Sequence, residues 1–371
     1  MDSYGVVSLI PPLLAIGLAW WTKNVLISLF IGIFSGAFIL NGYNFLDAFL
    51  RTLDKYILNS MADSWNASIL ILILALGGMV GIITKSGGIK SLSEYIAKKA
   101  KSVQKTQFAV WLLGVAIFYD DYSNTLIVGN TMRPLTDKFN ISREKLAYIT
   151  DTTAAAVVSI FPISTWLAYE VGLIRDAFTN LGIESSAYLT FIKSIPFRFY
   201  SIFALVLVFI IIYQSKDFGP MYKAEVRARK TGQLLRDGAN PMVSGEIADM
   251  EEPESKGLNA FESIAILLSV VVFTIIGIWF EGGGLSGNSL SKALTTGDSA
   301  KALLWASFLS LFLTMILVYL RGTLDISQLV DSFISGTKSM LFACIILVLV
   351  WAIAAVTDDL GTANYMVKHA K

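Results

Sequence analysis

The chain alternates between long apolar runs and short polar connections, and this pattern sets its fold class. Most of the apolar runs have the length of about 20 residues that a helix needs to cross a bilayer. Because 55% of the residues are hydrophobic and only 15% are charged, against about 25% charged in soluble domains, we predict an all-α, polytopic membrane protein. The apolar segments are Gly5–Trp21, Val25–Gly42, Ala67–Ile83, Thr106–Thr131, Leu146–Leu173, Pro196–Tyr213, Ala260–Phe280, Ala302–Leu320 and Ser339–Thr357.

Two adjacent carboxylates interrupt the fourth segment. Asp120 and Asp121 are followed by Ser123, Asn124 and Thr125. An Asp at the centre of a span costs about 2.5 to 3.5 kcal/mol, so the pair is expected to face a cation, a proton path or a water-filled cavity. Carboxylate, amide and hydroxyl oxygens suit hard cations. The stretch therefore predicts a Na+ and proton site, with one or both carboxylates active; a helix-capping role for the three uncharged residues stays compatible with it.

The fifth segment holds a second group of polar residues around a proline. Pro162 lacks a backbone donor and clashes with the preceding turn, so the helix is predicted to break there. A broken helix with hydroxyls opposite a hairpin tip is typical of a binding site in the middle of a membrane. An ordinary kink, and a capping or interfacial role for Asp151, are the alternatives. The candidate ligands on this segment are Asp151, Thr152, Ser159, Ser164 and Thr165.

The positions of lysine and arginine predict how the chain is threaded through the membrane. If every segment crosses fully, the lysine-rich loop 85–105 falls outside. If segment 106–131 enters and returns on the same side, most loop cations lie inside. We therefore predict a re-entrant hairpin with Asp120 to Thr125 at its tip, followed by the broken helix 146–173. The hydrophilic stretch 214–258 is predicted to be a solvated, partly disordered cytoplasmic linker.

Two short sequence matches indicate an inverted repeat. Asp47-Ala-Phe-Leu and Asp331-Ser-Phe-Ile each follow two apolar segments and precede an apolar helix that ends in Thr, with Gly four residues later. Residues 1–213 then form a first transmembrane repeat, and residues 259–371 form a partial second one, which lacks counterparts of the hairpin and the broken helix. We therefore expect a C-terminally truncated chain that lacks part of its site.

Composition excludes several other classes of function. A net charge of +1 gives no reason to expect a nucleic-acid partner, and a single His369 and a single Cys344 argue against a histidine metal site, a catalytic triad or an internal disulfide. The sequence has no predicted strand followed by a Gly-Lys-Ser/Thr motif, so it does not indicate nucleotide binding. An intramembrane aspartyl protease would need carboxylates on separate helices, and its Gly-x-Gly-Asp signature is absent. We predict a secondary transporter, not an enzyme, without a cofactor.

Four stretches carry a family resemblance: Phe118-Tyr-Asp-Asp-Tyr-Ser-Asn-Thr-Leu-Ile-Val-Gly, Met132-Arg-Pro-Leu-Thr-Asp-Lys-Phe, Ser142-Arg-Glu-Lys-Leu-Ala-Tyr-Ile-Thr-Asp-Thr-Thr-Ala-Ala and Ser159-Ile-Phe-Pro-Ile-Ser-Thr-Trp. With them the chain resembles the NhaC family of Na+/H+ antiporters. The resemblance implies a multi-pass antiporter in the inner (cytoplasmic) membrane of a bacterium or archaeon, built from inverted repeats and exchanging Na+ for H+.

Two alternatives stay open at this point. Some relatives of that family look like sodium-coupled exchangers of organic acids such as malate and lactate, although the lack of a Lys or Arg in mid-segment favours a cation. The expected truncation leaves an inactive fragment as the other alternative. The predicted partners are Na+, H+ and the lipid bilayer, and a homodimer is left open.

Overall fold

The structure, a computed structural model, describes residues 4–98, 100–118, 120–239, 257–289, 293 and 298–369, and every regular element in these ranges is helical. Six stretches of the described residues are long and apolar enough to cross a membrane, and a bent helix pair brings the count to seven if it forms one span. The predicted all-α, polytopic fold class is therefore confirmed.

Each predicted apolar segment falls on one or two helices, but some helices extend beyond it, and one begins at Ile326, 13 residues before the predicted start at Ser339. In chain order the helices are α1 (Ile10–Thr22), α2 (Val25–Leu40), α3 (Phe45–Arg51), α4 (Leu58–Ala62), α5 (Ser64–Lys85), α6 (Gly88–Ala97), α7 (Val103–Ala116), α8 (Asp121–Lys138), α9 (Arg143–Ile160), α10 (Thr165–Leu181), α11 (Ala187–Ser194), α12 (Phe199–Gln214), α13 (Gly219–Thr231), α14 (Ala260–Glu281), α15 (Ser299–Leu320), α16 (Ile326–Asp359) and α17 (Thr362–His369).

Polar residues next to the apolar runs start several of these helices. The side-chain oxygens of Asn24, Ser102 and Ser142 each accept a bond from a backbone amide in the first turn of α2, α7 and α9. Asn259 and Glu262 form a reciprocal capping box at the start of α14. These caps satisfy amides that have no partner within the helix, which matters most where the helix ends are close to lipid.

One compact unit comprises Met1–Ile71 and Met340–Lys371. Its core packs Ile33 and Ala37 of α2 against Ala352 and Val356 of α16. The hydroxyl of Thr362 at the start of α17 donates to the carbonyl of Ser8, at 2.8 Å. These contacts hold the two ends of the described chain in one packed group.

The second unit, Leu72–Ser339, contains the helices that carry the polar candidates. Within it, α5 and α16 approach each other at glycines: a Cβ at Gly81 would lie 2.8 Å from the Cα of Gly336. Only small residues allow this separation, as is usual where helices pack in membranes.

The helices of the two predicted repeats occur in a similar order along the chain. Helices α5 and α16 each end in a two-residue turn whose glycine is left-handed, Gly87 at φ 75° and Gly361 at φ 70°. A short helix follows each turn. One difference is that Asp47 lies in the separate helix α3, whereas Asp331 lies inside the long helix α16. The agreement is one of element order, and the inverted repeat itself stays a prediction.

The hydrophilic stretch 214–258 is more ordered than its composition predicts. It contains α13, and Glu225 on that helix is only 2% exposed because it accepts bonds from the amide and the hydroxyl of Ser142, both at 2.8 Å. The prediction of a solvated, partly disordered linker is therefore wrong for 219–231. Residues 240–256 of the stretch lie outside the described residues.

Candidate functional site

Two helix interruptions lie close together in the second unit. The first separates α7, which ends at Ala116, from α8, which begins at Asp121. The second separates α9, which ends at Ile160, from α10, and the two helices meet at an angle of 48°. Pro162 lies in this second interruption, at the position where its missing backbone donor predicts a break. The rings of Phe118 and Phe161, one from each interruption, stack with centroids 3.8 Å apart.

The contacts along α9 show that α7 and α8 form a hairpin. A Cβ at Gly114 of α7 would meet Thr153 in the middle of α9. Gln107, near the start of α7, and Ser142, at the start of α9, both bond to Glu225. Helix α7 therefore runs in the same direction as α9. Helix α8 is joined to the start of α9 by a short connection, so it runs in the opposite direction to α7.

The hairpin tip differs from the predicted one. Its described residues are Ile117, Phe118 and Asp120, whereas Asp121 to Thr125 form the start of α8. The physical reason is that Asp121 lies in the first turn of a helix, where the unpaired amides and the helix dipole stabilise a negative charge. The hairpin shape is observed, and its position relative to a membrane stays a prediction.

Asp120 and Asp121 both reach the first residues of α10 but face different environments. Asp120 is only 4% exposed, and its Oδ1 accepts from the hydroxyl of Thr165 at 3.0 Å. Asp121 is half-buried, and its Oδ1 accepts from the indole of Trp166 at 3.1 Å. The positive end of the α10 dipole thus lies beside both carboxylates.

Asn124 presents a buried oxygen without a partner. Its side-chain nitrogen donates to the carbonyls of Gly114 and Ile117, each at 2.6 Å, and these two acceptors determine which way the amide points. Its Oδ1 is fully buried and has no hydrogen-bond donor among the described residues. Such an atom costs free energy unless a cation, a proton donor or water fills the space beside it.

The other candidates on α8 and α9 are placed differently. The side chain of Ser123 lies outside the described residues, and Thr125 is exposed. Asp151 is also exposed, while Thr152 lines a cavity of about 600 Å³ between α9 and α12 together with Tyr148 and Tyr200. The predicted role of these four residues as ligands stays a prediction.

The two serines near the break have structural partners. Ser164 caps α10 by accepting from the Leu167 amide at 3.0 Å and donates to the carbonyl of Val158 at 2.7 Å. Ser159 is 2.7 Å from the hydroxyl of Ser201 on α12. Of the hydroxyls predicted as ligands around the break, Thr165 is the one that contacts a carboxylate of the hairpin.

The carbonyl of Pro162 is held from outside the broken helix. Tyr188 on α11 donates its hydroxyl to this carbonyl at 3.0 Å. Burial raises the pKa of Tyr188 to about 12, so the phenol stays protonated at neutral pH and remains a donor. A backbone acceptor that the break would otherwise leave exposed to a low-dielectric environment is therefore satisfied.

An ion pair beside the break was missed by sequence reasoning. Arg198, just before α12, forms a two-pronged ion pair with Glu170 of α10, with Nη1 and Oε1 2.9 Å apart. The same nitrogen donates to the carbonyl of Ser159 at 2.9 Å. Each of the two charges lies near the end of an apolar segment, where the sequence alone indicates an interfacial position. The signal that could have found them is the presence of opposite charges in neighbouring apolar segments.

Within the part of the chain that the structure describes, no group of three His, Cys, Asp or Glu side chains is arranged to hold a metal ion. At the two interruptions, a described contact joins the side chains of Asp120 and Thr165. Asn124 lies one helical turn after Asp120, and its backbone amide donates to the Asp120 carbonyl at 3.0 Å.

Comparisons with known proteins give one family and one relative. The family model described as "Na+/H+ antiporter family" matches residues 3–165 and 157–371. An uncharacterised protein of Haemophilus influenzae strain Rd is 30% identical over 372 residues, which cover 98% of this chain and 69% of that protein. No solved structure matches the chain significantly.

Proposed function

Because this chain belongs to the Na+/H+ antiporter family, we propose that it exchanges Na+ for protons, with Asp120 as the carboxylate that binds the two ions in turn. Family membership and the apolar helices make it a multi-pass membrane protein and a cation/proton antiporter in general, which indicates a transporter rather than an enzyme. We place it in the cytoplasmic membrane of a bacterium or archaeon.

The burial of Asp120 is the observation that carries the proposal. A carboxylate that is 4% exposed inside a membrane protein is costly when it is charged and has no counter-ion. A proton removes the charge, and a bound Na+ balances it. Because both ions relieve the same cost at the same oxygens, they compete, and this competition is the basis of exchange.

Uncharged oxygens complete the proposed site. The Oγ1 of Thr165 is already 3.0 Å from Asp120, and the Oδ1 of Asn124 is buried without a donor one helical turn after Asp120. Both oxygen atoms can coordinate a cation, since hard cations prefer oxygen ligands. When the proton replaces the cation, the Thr165 hydroxyl keeps its bond to the carboxyl group.

Asp121 has a supporting role in this proposal. Its carboxylate is half-buried and bonds to Trp166, at the first turn of α10. Its negative charge close to Asp120 raises the local affinity for cations without requiring direct contact with Na+. We therefore expect its removal to weaken Na+ binding and to leave exchange measurable.

The test is proton movement in proteoliposomes that contain the purified chain and receive a Na+ pulse. Asp120→Asn should abolish Na+-driven proton movement, and Asp121→Asn should raise the Na+ concentration needed for half-maximal exchange. Asp176→Asn is the matched control, because this exposed carboxylate pairs with its neighbour Arg175 and lies away from the interruptions.

Normal exchange by Asp120→Asn would show that the site lies elsewhere. Exchange that appears only when malate or lactate is added would show that the cargo is an organic acid. Asp151→Asn tests the third carboxylate that the sequence offers as a candidate. We expect this variant to exchange Na+ for protons like the unmodified protein, because Asp151 is exposed.

A further inference from the structure

A cleft of about 520 Å³ lies between α7 and α12, and its two ends differ in polarity. At one end Gln104 of α7 donates to the carbonyl of Tyr213 at 2.6 Å, and further along Phe108 packs against Phe209 with ring centroids 5.7 Å apart. The two helices therefore run in opposite directions. From Lys105 to Leu112 the cleft follows α7 for about 10 Å at 1.5 Å per residue.

The polar end of the cleft carries an excess of positive charge. Lys105 lines the cleft, Lys101 lies one turn before it, and Lys216 follows the end of α12; all three are exposed. Among the described residues no carboxylate forms a salt bridge with any of them. Asp217 is neutralised by its ion pair with Lys145, and Glu94, which precedes Tyr95 of the lining, offsets one charge only.

The apolar end opens toward the surface that faces lipid. Phe203 is 64% exposed on α12, and Phe209 and Leu112 also have large exposed fractions. Because α12 lies in a stretch that is apolar enough to cross a membrane, such a surface is expected to contact hydrocarbon. Tyr213 and the lysines at the helix ends are the residue types found at the boundary between the lipid tails and the headgroups.

We propose that this cleft binds an anionic phospholipid, with an acyl chain between Phe108, Leu112 and Phe209 and the phosphate at Lys105. The Gln104 amide is already bonded to the end of α12, and Lys105 carries the positive charge among the lining residues, so its ammonium is the group expected to bind the phosphate. Basic pockets between membrane helices bind anionic headgroups in this way. The apolar end favours a lipid over a free phosphate ion, because a free ion would leave that surface uncovered.

The test is native mass spectrometry of the full chain in detergent, titrated with phosphatidylglycerol and with phosphatidylcholine of the same acyl chains. We expect phosphatidylglycerol to bind more tightly. Lys105→Gln should reduce this preference about fivefold, the effect expected of one lysine near a headgroup, and leave phosphatidylcholine binding unchanged. Leu112→Trp should weaken both lipids by filling the cleft. Lys23→Gln, at the exposed turn between α1 and α2, is the matched control.

Three outcomes would overturn the proposal. The first is an equal preference for phosphatidylglycerol in Lys105→Gln and Lys23→Gln. The second is full competition by glycerol phosphate together with normal lipid binding by Leu112→Trp, which would identify a site for phosphate alone. The third is a dimer that Leu112→Trp dissociates without loss of lipid, which would identify a contact between copies. Because bound lipid is measured rather than transport, the result does not depend on the proposed exchange.

Discussion

At the scale of single residues, the proposed site depends on one hydroxyl, that of Thr165, which can contact Asp120 in both its protonated and its cation-bound state. The Oγ1 of Thr165 donates to Asp120 at 3.0 Å, and the same oxygen can also be a ligand for a cation beside that carboxylate. The side-chain nitrogen of Asn124 donates to backbone carbonyls of the hairpin. Its Oδ1 has no donor among the described residues and can accept a hydrogen bond or coordinate a cation.

This arrangement predicts different results for two substitutions at one position. Thr165→Val has the same shape but no hydroxyl, so we expect the Na+ concentration for half-maximal exchange to rise about tenfold, as for the loss of a hydrogen bond to a charged group. Thr165→Ser keeps the hydroxyl and should stay within about twofold of the unmodified protein. Equal effects of the two variants would show that the hydroxyl of Thr165 makes no specific contribution to Na+ binding.

At the scale of helices, the break at Pro162 is held by an ion pair. Arg198 bonds both to the carbonyl of Ser159, at the end of α9, and to Glu170 of α10. Its guanidinium also lies 4.4 Å from the ring centre of Phe191 on α11. One side chain thus fixes the angle between the two halves of the broken helix.

We expect the single variants Arg198→Leu and Glu170→Leu each to lower the free energy of unfolding by about 2 kcal/mol, between the values for exposed and fully buried pairs. The double variant should cost less than the sum of the two, because neither charge is then left alone. The measurement is thermal unfolding of the purified protein in detergent. Additive losses would show that the two side chains act independently.

At the scale of the whole molecule, charged residues from distant parts of the sequence form ion pairs at the N-terminal end of α9. Lys145 is 1% exposed and pairs with Asp217, which precedes α13. Glu144 pairs with Arg227, and Ser142 bonds to Glu225 on α13. These contacts join the hydrophilic stretch after α12 to the N-terminal end of α9, the first half of the broken helix.

Removal of Asp217 should therefore be costly for the entire protein. Asp217→Asn leaves the buried ammonium of Lys145 unpaired, for which we expect a loss of about 3 kcal/mol. The combination of Lys145→Met with Asp217→Leu should recover most of that loss. Hydrogen exchange provides the local check, since the amides of 219–231 should exchange faster in Asp217→Asn. Unchanged protection there would show that α13 is held by its other contacts.

The sequence predicts the local features of this fold and misses those that depend on distant partners. Apolar length predicts the spans, and the missing donor of Pro162 predicts the break, because both are properties of short segments. The burial of Asp120 depends on Thr165, 45 residues later, and Glu225 becomes buried through Ser142, 83 residues earlier. Periodicity carries no information about such pairs, so the choice between the two carboxylates and the order in α13 could not be predicted.

The stacked rings of Phe118 and Phe161 have a consequence for how the molecule could move. This contact, with a centroid distance of 3.8 Å, links the tip of the hairpin to the bend between α9 and α10. We therefore expect a rotation of one of these segments to rotate the other. The two segments should then move together during the proposed transport cycle. The surfaces that slide past each other in that cycle are expected where these two segments meet the other helices of the second unit.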